Sequence, residues 1–519
     1  MKSKTIAALS LALVSCMLGG CAGKTEQATV IVVDSRGTSA ENFSSAVGST
    51  VFSSSEQTVS VSVPQNTSSQ TSSKTLVSVV IPPPENPEPN SDTSEPSSSE
   101  YVSSSSSSSE PLAVSSSTSL SSSRILSSST SSSSNLSSSL SSESPPAPVV
   151  PSEPVGTNSY KALNYSEVKG VWISYIELAG LSSGSESEFR NSLGNVYDNC
   201  VSLGINTVFV HVRSHGDAYY NSAYFPRTKY IGGSYDPLPV MIDEAHKRGL
   251  SFQAWINPMR GCSVSDISRE NGYPMYSWAG GETRLVELNN YYYLNPAYDE
   301  VIDLITKGAE EIVAKYDVDG LHIDDYFYPT TGEWFDSEAY AASSYGSLSD
   351  FRFANCDKLV SSLYSAVKRA NNTAIFGVSP QGNYQNNYVY MYADVGKWCT
   401  ESGYLDYIMP QIYFGFKNAA QPYSDVVKQW DNIAAKGKVP LIVGLSPSKI
   451  GTEDGWGGTY GKREWIDDKE ILKRQFLEAA EQVSYGGICL YSYNSMFNAD
   501  IDVKAQVDAE VEALKAAMN

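Results

Sequence analysis

Eight apolar segments, each followed by a stretch of helical length and pattern, constrain this chain more than any other feature. The apolar segments are residues 168–177, 205–213, 250–258, 318–327, 374–382, 405–414, 440–446 and 486–494. The stretches that follow them predict helices near 189–203, 237–249, 298–316, 350–371, 390–402, 424–436, 467–484 and 502–517. The strands are apolar nearly throughout, as expected of parallel strands covered on both faces. Eight such units in about 350 residues predict an α/β fold, a closed (β/α)8 TIM barrel. A doubly wound open sheet is the structural competitor. No GxGxxG follows the first strand, which removes its dinucleotide-binding version.

Composition bounds the barrel on its N-terminal side. Residues 101–150 contain 27 Ser, while all eight Trp and 33 of the 34 Tyr follow residue 158. The first 158 residues therefore lack the side chains that a core needs. Lys2 and Lys4 precede an apolar run from Ile6 to Leu18, which ends in Leu18-Gly-Gly-Cys21. The run is of signal-peptide length and too short to span a bilayer. The pattern resembles a bacterial lipobox, which implies cleavage before Cys21 and lipidation of its thiol. The expected organisation is a signal peptide at 1–20, lipidated Cys21 with a disordered Ser/Pro/Thr-rich linker at 21–158, and the barrel at 159–519. Such a linker has a root-mean-square reach of roughly 60–70 Å. The expected location is extracytoplasmic, as a membrane-anchored lipoprotein at the bacterial cell surface.

Charge and cysteine content exclude some partners. The net charge is −21 and no Lys/Arg run occurs, so nucleic acid is not expected. After Cys16 and Cys21, five cysteines remain at wide spacings with no CxxC, so neither a zinc site nor a disulfide framework is indicated. No metal and no cofactor are expected, and the protein is expected to be a monomer.

In a (β/α)8 barrel, chemistry sits at the C-terminal ends of the strands. Polar residues gather at five of them: HVRSHGD from His211, AWINPMR from Ala254, HIDDYFYP from His322, SPQGN from Ser379 and PQIYF from Pro410. Strand alternation puts His211 with Arg213, Gln253 with Trp255 and Asn257, His322 with Asp324 and Tyr326, and Gln411 with Tyr413. Each set is expected to converge on the barrel mouth. The adjacent carboxylates Asp324 and Asp325 are the sharpest feature. Two like charges in one site push their pKa values apart, and one protonated and one ionised carboxylate is what glycoside hydrolysis uses. Asp325 as a loop cap, and a divalent cation on the pair, are the competing readings. Candidate substrate-binding residues are His211, Arg213, Asp217, Trp255, Asn257, Arg260, His322, Tyr326, Asn383, Gln411 and Tyr413. Trp255 is equally a core residue or a sugar platform. The tyrosines and Trp278 of the loop 258–297 are either walls for sugar rings or a structural plug.

Four strings in this order, HVRSHGDAYYNSAYFPR, YDPLPVMIDEAHKRGLSFQAWINPMR, DGLHIDDYFYP and LDYIMPQIYF, resemble the glycosyl-hydrolase-like 10 family. The likeness covers about residues 168–496. It implies a bacterial, often lipid-anchored, glycosidase-like barrel that cleaves peptidoglycan glycan strands, particularly those without stem peptides. The strand-four acidic motif falls on Asp324 and Asp325, with Arg213, Gly216, Asp217, Asn257, Pro258, Arg260, Gln411 and Tyr413 at the other motif positions. His211 stands where Gln is more usual, and Met259 where Tyr is commoner. Asp319 to Asp324 is also similar to the DGxRxD strand of amylase-like barrels. The chitinase-like DGxDxDxE is matched less well, because Tyr326 takes the place of its final Glu. Asp325, Glu177 and Asp217 are the candidate partners for Asp324. The expected function is glycoside hydrolysis of a cell-wall or cell-surface polysaccharide. The alternative is a non-catalytic carbohydrate-binding lipoprotein on a degenerate barrel.

The anchor yields a direct prediction. Cells fed a clickable fatty acid should label the wild-type protein and not Cys21→Ala. Equal labelling of the two would remove the lipoprotein reading.

Overall fold

The computed structural model describes residues 156–519 except 182–183, 268–271 and 280–282. The signal peptide, Cys21 and the linker as far as residue 155 lie outside the described residues. All eight barrel strands form where the apolar segments place them. In chain order the strands are β1 Val168–Ile173, β2 Thr207–Arg213, β3 Ser251–Ile256, β4 Arg260–Ser263, β5 Leu285–Leu288, β6 Tyr291–Leu294, β7 Gly320–Ile323, β8 Ile375–Val378, β9 Tyr407–Ile408, β10 Leu441–Leu445 and β11 Tyr485–Leu490. Eight of them close a parallel barrel in the order β1-β11-β10-β9-β8-β7-β3-β2. Closure is made by β1 on β11, with Gly170 opposite Cys489.

Every residue of β2 and β3 is buried, which explains their near-continuous apolar composition. Helices cover the outer faces. Glu186–Leu203 starts at Ser185, whose side chain accepts from the Glu188 N–H, and stops at Gly204 (φ 93°). Asp299–Lys315 turns Val301, Ile305, Ala309 and Ile312 toward the sheet at helical spacing. The barrel interior holds a separate cluster that includes Trp172, Phe209, Trp255, Tyr407, Met409, Ile442 and Cys489.

The N-terminal end of the barrel is tied by Asp319, just before β7. Its buried carboxylate accepts from Tyr160 Oη (2.8 Å), Leu163 N (2.5 Å) and Phe252 N (2.7 Å), and meets His246 Nε2 at 2.8 Å. These bonds tie residues 160–164 across the start of β3 and β7.

Two local features depart from the sequence expectation. The segment after β3, read as a loop, folds into a three-stranded antiparallel sheet in the order β4-β6-β5. Its strands have four residues each, too short to show a period. The second departure is a register shift in β2 against β3 between His211 and Arg213. His211 opposes Trp255, but Arg213 opposes Ile256, so the two side chains fall on opposite faces of the sheet.

All five cysteines of the described region are buried, unpaired thiols. No helix among the described residues is long and apolar enough to cross a membrane.

The interior leaves no spare volume beside Tyr407. A Cβ at Gly377 would sit 1.9 Å from the Tyr407 ring, whereas one at Gly180 meets nothing within 4 Å. Gly377→Ala should therefore cost about 1–3 kcal/mol or more, by overpacking. Gly180→Ala should be near neutral. Melting temperatures of the two variants check this, and equal stability would contradict the interior packing.

Candidate active site

The end of β7 presents two carboxylates that diverge. Asp324 Oδ2 accepts from Trp255 Nε1 of β3 at 3.0 Å. Asp325 Oδ1 accepts from Gln411 Nε2, just beyond β9, at 3.0 Å. In the barrel β3 and β9 lie on opposite sides of β7, so the pair leans both ways across the mouth. Gln411 is itself fixed by donating to Ser379 O at 3.1 Å.

Burial decides the protonation of Asp324. It is 4% exposed, and its Oδ1 is buried without a hydrogen-bond partner. Burial raises its pKa well above the usual carboxylate range, and the Asp325 charge raises it further. The Trp255 N–H, the Tyr326 backbone N–H and the Arg260 guanidinium pull the other way. A hydrogen bond to an ionised group contributes about 1.5–3 kcal/mol. An unpaired buried ion costs several kcal/mol, so the neutral acid is favoured. Burial also raises Asp325, while its bonds to Gln411 and Gln381 lower it.

The nearby imidazoles add no positive charge. His322 is fully buried, with Nδ1 2.9 Å from Tyr407 Oη, and burial holds its pKa down to about 3. His211 is pushed well below the usual histidine value, mainly by burial. Its ring stacks on Trp255 at 3.8 Å between centroids, 6° from parallel.

The structure sorts the expected binding residues into three groups. The first supports the acid from beneath. His211, Trp255, Asn257 and His322 are all at most 6% exposed. Asn257 Oδ1 meets His211 Nε2 at 3.1 Å, and its Nδ2 donates to Ser214 O at 3.2 Å. These bonds occupy the amide, so the expectation that Asn257 reaches substrate is corrected: it positions His211. Likewise Trp255 is no sugar platform, because His211 covers its face and Asp324 takes its N–H. His322 packs below the mouth against Phe209, Tyr407 and Trp172 rather than opening onto it.

The second group is held by other parts of the fold. The register shift turns Arg213 outward against the Phe225 ring, 4.3 Å from its centroid, toward Gly308 of the covering helix. The expected convergence of Arg213 with His211 is therefore corrected. Burial lowers the Arg213 pKa to about 10. Asn383 caps the helix Tyr384–Met391, accepting from Gln385 N at 3.1 Å, and this corrects its assignment to substrate.

The third group lines the mouth. Tyr326 is 37% exposed and its hydroxyl accepts from Arg260 Nη1 at 3.1 Å. Gln411 stands beside Asp325. Tyr413 stacks on Tyr491 at 5.9 Å. Asp217 accepts from His215 N at 3.1 Å across a turn that Gly216 makes at φ 66°. A cavity of about 160 Å³ opens here, lined by Asp217, His215, Tyr175, Tyr230, Tyr276 and Tyr291 among others. Burial holds His215 near a pKa of about 3.

Glu177, a candidate partner for Asp324, is fully engaged elsewhere. Its Oε2 accepts from Ser174 N and Oγ, and its Oε1 from Ser492 Oγ (2.5 Å) and Asn494 N (3.2 Å). It closes the β1 and β11 ends onto one another and has no spare lone pair for substrate. Sequence reasoning misses Tyr175, Gln381 and Tyr491. Each stands just past a barrel strand, at the ends of β1, β8 and β11, so scanning all eight strand ends finds them. Among the described residues no three His, Cys, Asp or Glu side chains gather as a metal-ligand set.

The chain matches the profile of the glycosyl hydrolase-like 10 family over residues 167–457. It is 32% identical over 319 residues to glycosyl hydrolase YngK of Bacillus subtilis (strain 168), covering 55% of this chain and 61% of that one. It therefore spans less than two thirds of that relative's length. It is 29% identical over 350 residues to glycosyl hydrolase DigH of Escherichia coli (strain K12), covering 60% of this chain and 79% of the relative. Among solved structures, the glycoside hydrolase domain of PgaB (BpsB) from Bordetella bronchiseptica aligns with a TM-score of 0.47 and 15% identity, over 68% of this chain and 99% of that one. On the extent of the profile match, the chain belongs to the glycosyl hydrolase-like 10 family.

Proposed function

We propose that this protein is a glycosidase acting on cell-wall glycan, most specifically the glycan strands of peptidoglycan, and that Asp324 is its general acid. The observation that carries the reading is the buried carboxyl of Asp324, raised in pKa by burial and by Asp325, at the catalytic end of a closed barrel. A carboxylic acid that keeps its proton at neutral pH can donate it to a departing glycosidic oxygen. Asp325, half-buried and bonded by Gln411 and Gln381, supplies the second carboxylate. It stabilises the cationic sugar carbon, by direct attack or by activating water. Tyr326, Tyr413, Tyr491 and Tyr175 offer ring faces to the C–H faces of sugars. Family membership supports the same chemistry. The proposal includes a lipid on Cys21 and placement at the bacterial cell surface, where the linker gives the barrel reach into the wall.

Asp324→Asn keeps the shape and the Trp255 contact but removes the transferable proton. Turnover on purified peptidoglycan should fall on the order of a thousandfold or more, equivalent to at least ~4 kcal/mol of transition-state stabilisation. Glycan affinity should survive, because the rim tyrosines and Gln411 are untouched. The assay compares released product, glycan affinity and melting temperature for wild type and variant. Undiminished turnover in Asp324→Asn would remove Asp324 from the mechanism. Firm glycan binding with no wild-type turnover on any wall glycan would favour the non-catalytic binding protein.

A further inference from the structure

The exposed aromatic side chains of this barrel gather at one end. Seven are exposed among the described residues, and only Tyr165 stands at the N-terminal end, where its hydroxyl donates to Gly249 O. The other six follow the C-terminal ends of strands: Tyr326, Trp334 and Tyr345 after β7, Tyr388 after β8, and Trp456 and Tyr460 after β10. Single apolar side chains scattered over a surface need no explanation, but scatter does not choose one end of a barrel. Only β8 and β9 lie between β7 and β10 in the barrel order. The six side chains therefore follow one continuous arc of strands, the arc that also carries Asp324, Asp325 and Gln411.

The two tryptophans of the arc are held in place from beneath. Trp334 is 54% exposed, and its indole lies on the bare backbone of Gly332, where a Cβ would fall 2.4 Å from Trp334 Nε1. Arg352 donates to Gly332 O at 2.6 Å and pairs with Asp336, both charged groups fully buried, so the turn under the indole is fixed. Trp456 is 59% exposed. Its backbone N–H donates to the buried Asp454, which also accepts from Lys449 Nζ. Gly457 O accepts from Ala419 N at 3.1 Å, which joins this loop to the one after β9. A ring held this way loses little freedom on binding. The rings also stand apart. Among the described residues no two of the six stack on each other; Trp334, Tyr345 and Tyr388 rest instead on Phe335, Phe351 and Phe353. A protein partner calls for a joined apolar core. A sugar chain calls for separate faces spaced along it, because each pyranose presents its own apolar C–H face. Three strand spacings, or about 14 Å of barrel wall, separate β7 from β10, more than one sugar ring spans.

We propose that Trp334 and Trp456 are outlying sugar platforms that hold a long glycan strand beyond the sugars beside Asp324, so that the protein selects long strands over short oligosaccharides. The proposal rests on the glycan-cleaving reading of the mouth and goes beyond it to the length of chain that is bound. No bond is made or broken at either platform. Each acts by covering the apolar face of one sugar from water.

The test varies the ring and the chain length together. The full chain and its Trp334→Ala, Trp456→Ala and doubly substituted variants are given long glycan strands released from purified peptidoglycan, and short oligosaccharides fractionated from the same strands. On long strands each single variant should lose about 5- to 10-fold in kcat/KM, through KM. The two losses should multiply in the double variant, because the platforms touch different sugars. On short oligosaccharides kcat/KM should not change. Trp334→Phe and Trp456→Phe keep a ring and should recover part of the loss. Affinity for the long strands is measured in parallel with each substitution placed in Asp324→Asn, a readout that does not depend on turnover. A wild type that cleaves neither glycan, with long-strand affinity that still falls in the tryptophan variants, overturns the glycosidase reading and leaves the platforms standing. Unchanged long-strand affinity in both single variants, or equal losses on long and short chains, overturns the platforms. A changed state of association with unchanged glycan affinity assigns the rings to contact between copies of the protein and overturns them as well. Melting temperatures should match wild type, because both side chains are exposed, and they separate a lost platform from misfolding.

Discussion

The hydrogen bond from the Trp255 indole to Asp324 organises the mouth of this barrel. It fixes one carboxyl oxygen and leaves the other buried without a partner. Burial and the Asp325 charge outweigh the Trp255 and Tyr326 N–H groups and Arg260 and raise the pKa of Asp324, so the bond orients a carboxyl that favours its neutral form. The layers below serve that orientation. His211 stacks on the indole, Asn257 holds His211, and Ser214 O holds Asn257. The imidazoles in this stack are kept neutral by burial. The electrostatics around the acid therefore rest on the Asp324–Asp325 pair and on Arg260.

The remainder of the fold keeps this stack in place. Asp319 ties four groups together at the opposite end of β7, so the strand that carries the acid is pinned at its start. Glu177 joins the ends of β1 and β11 through Ser492 and Asn494, and so closes the rim where the barrel itself closes. These two carboxylates are saturated by donors, whereas Asp324 has one oxygen left over. The contrast separates these structural acids from the one proposed to react: every lone pair that Asp319 and Glu177 offer is used.

The architecture was legible in the sequence because it rests on local periodicity. Eight apolar runs became eight strands, and most of the helices between them begin and end within a few residues of their expected limits, whereas the helix expected near 390–402 is two, Tyr384–Met391 and Val395–Thr400, broken at Tyr392 (φ 54°). The place of Asp324 and Asp325 at the end of β7 was legible because the two are adjacent in the chain and follow an apolar strand. What depends on contacts between strands was not. Arg213 reads as a neighbour of His211 until one register shift in β2 turns it to the helix layer. Asn257 reads as a substrate ligand until its amide is seen spent on His211 and Ser214. Arg260 donates to Tyr326 and lies between the Tyr291 and Tyr326 rings, contacts that no spacing encodes. Gln381 was passed over for Asn383 two residues later, because both suit a strand end and only the fold shows which one caps a helix.

The account stands or falls on the proton of Asp324. Carbon-13 labelling of aspartate carboxyls allows the pair to be titrated in the folded protein, with Asp324→Asn and Asp325→Asn identifying the resonances. The two groups interact, so the titration belongs to the pair. The account predicts that one carboxyl of the pair stays protonated at neutral pH and that its signal is lost in Asp324→Asn. It further predicts that Asp325→Asn moves the Asp324 titration to lower pH, because a like charge has been removed. An Asp324 carboxyl that ionises near the unperturbed value of about 3.9 would contradict it.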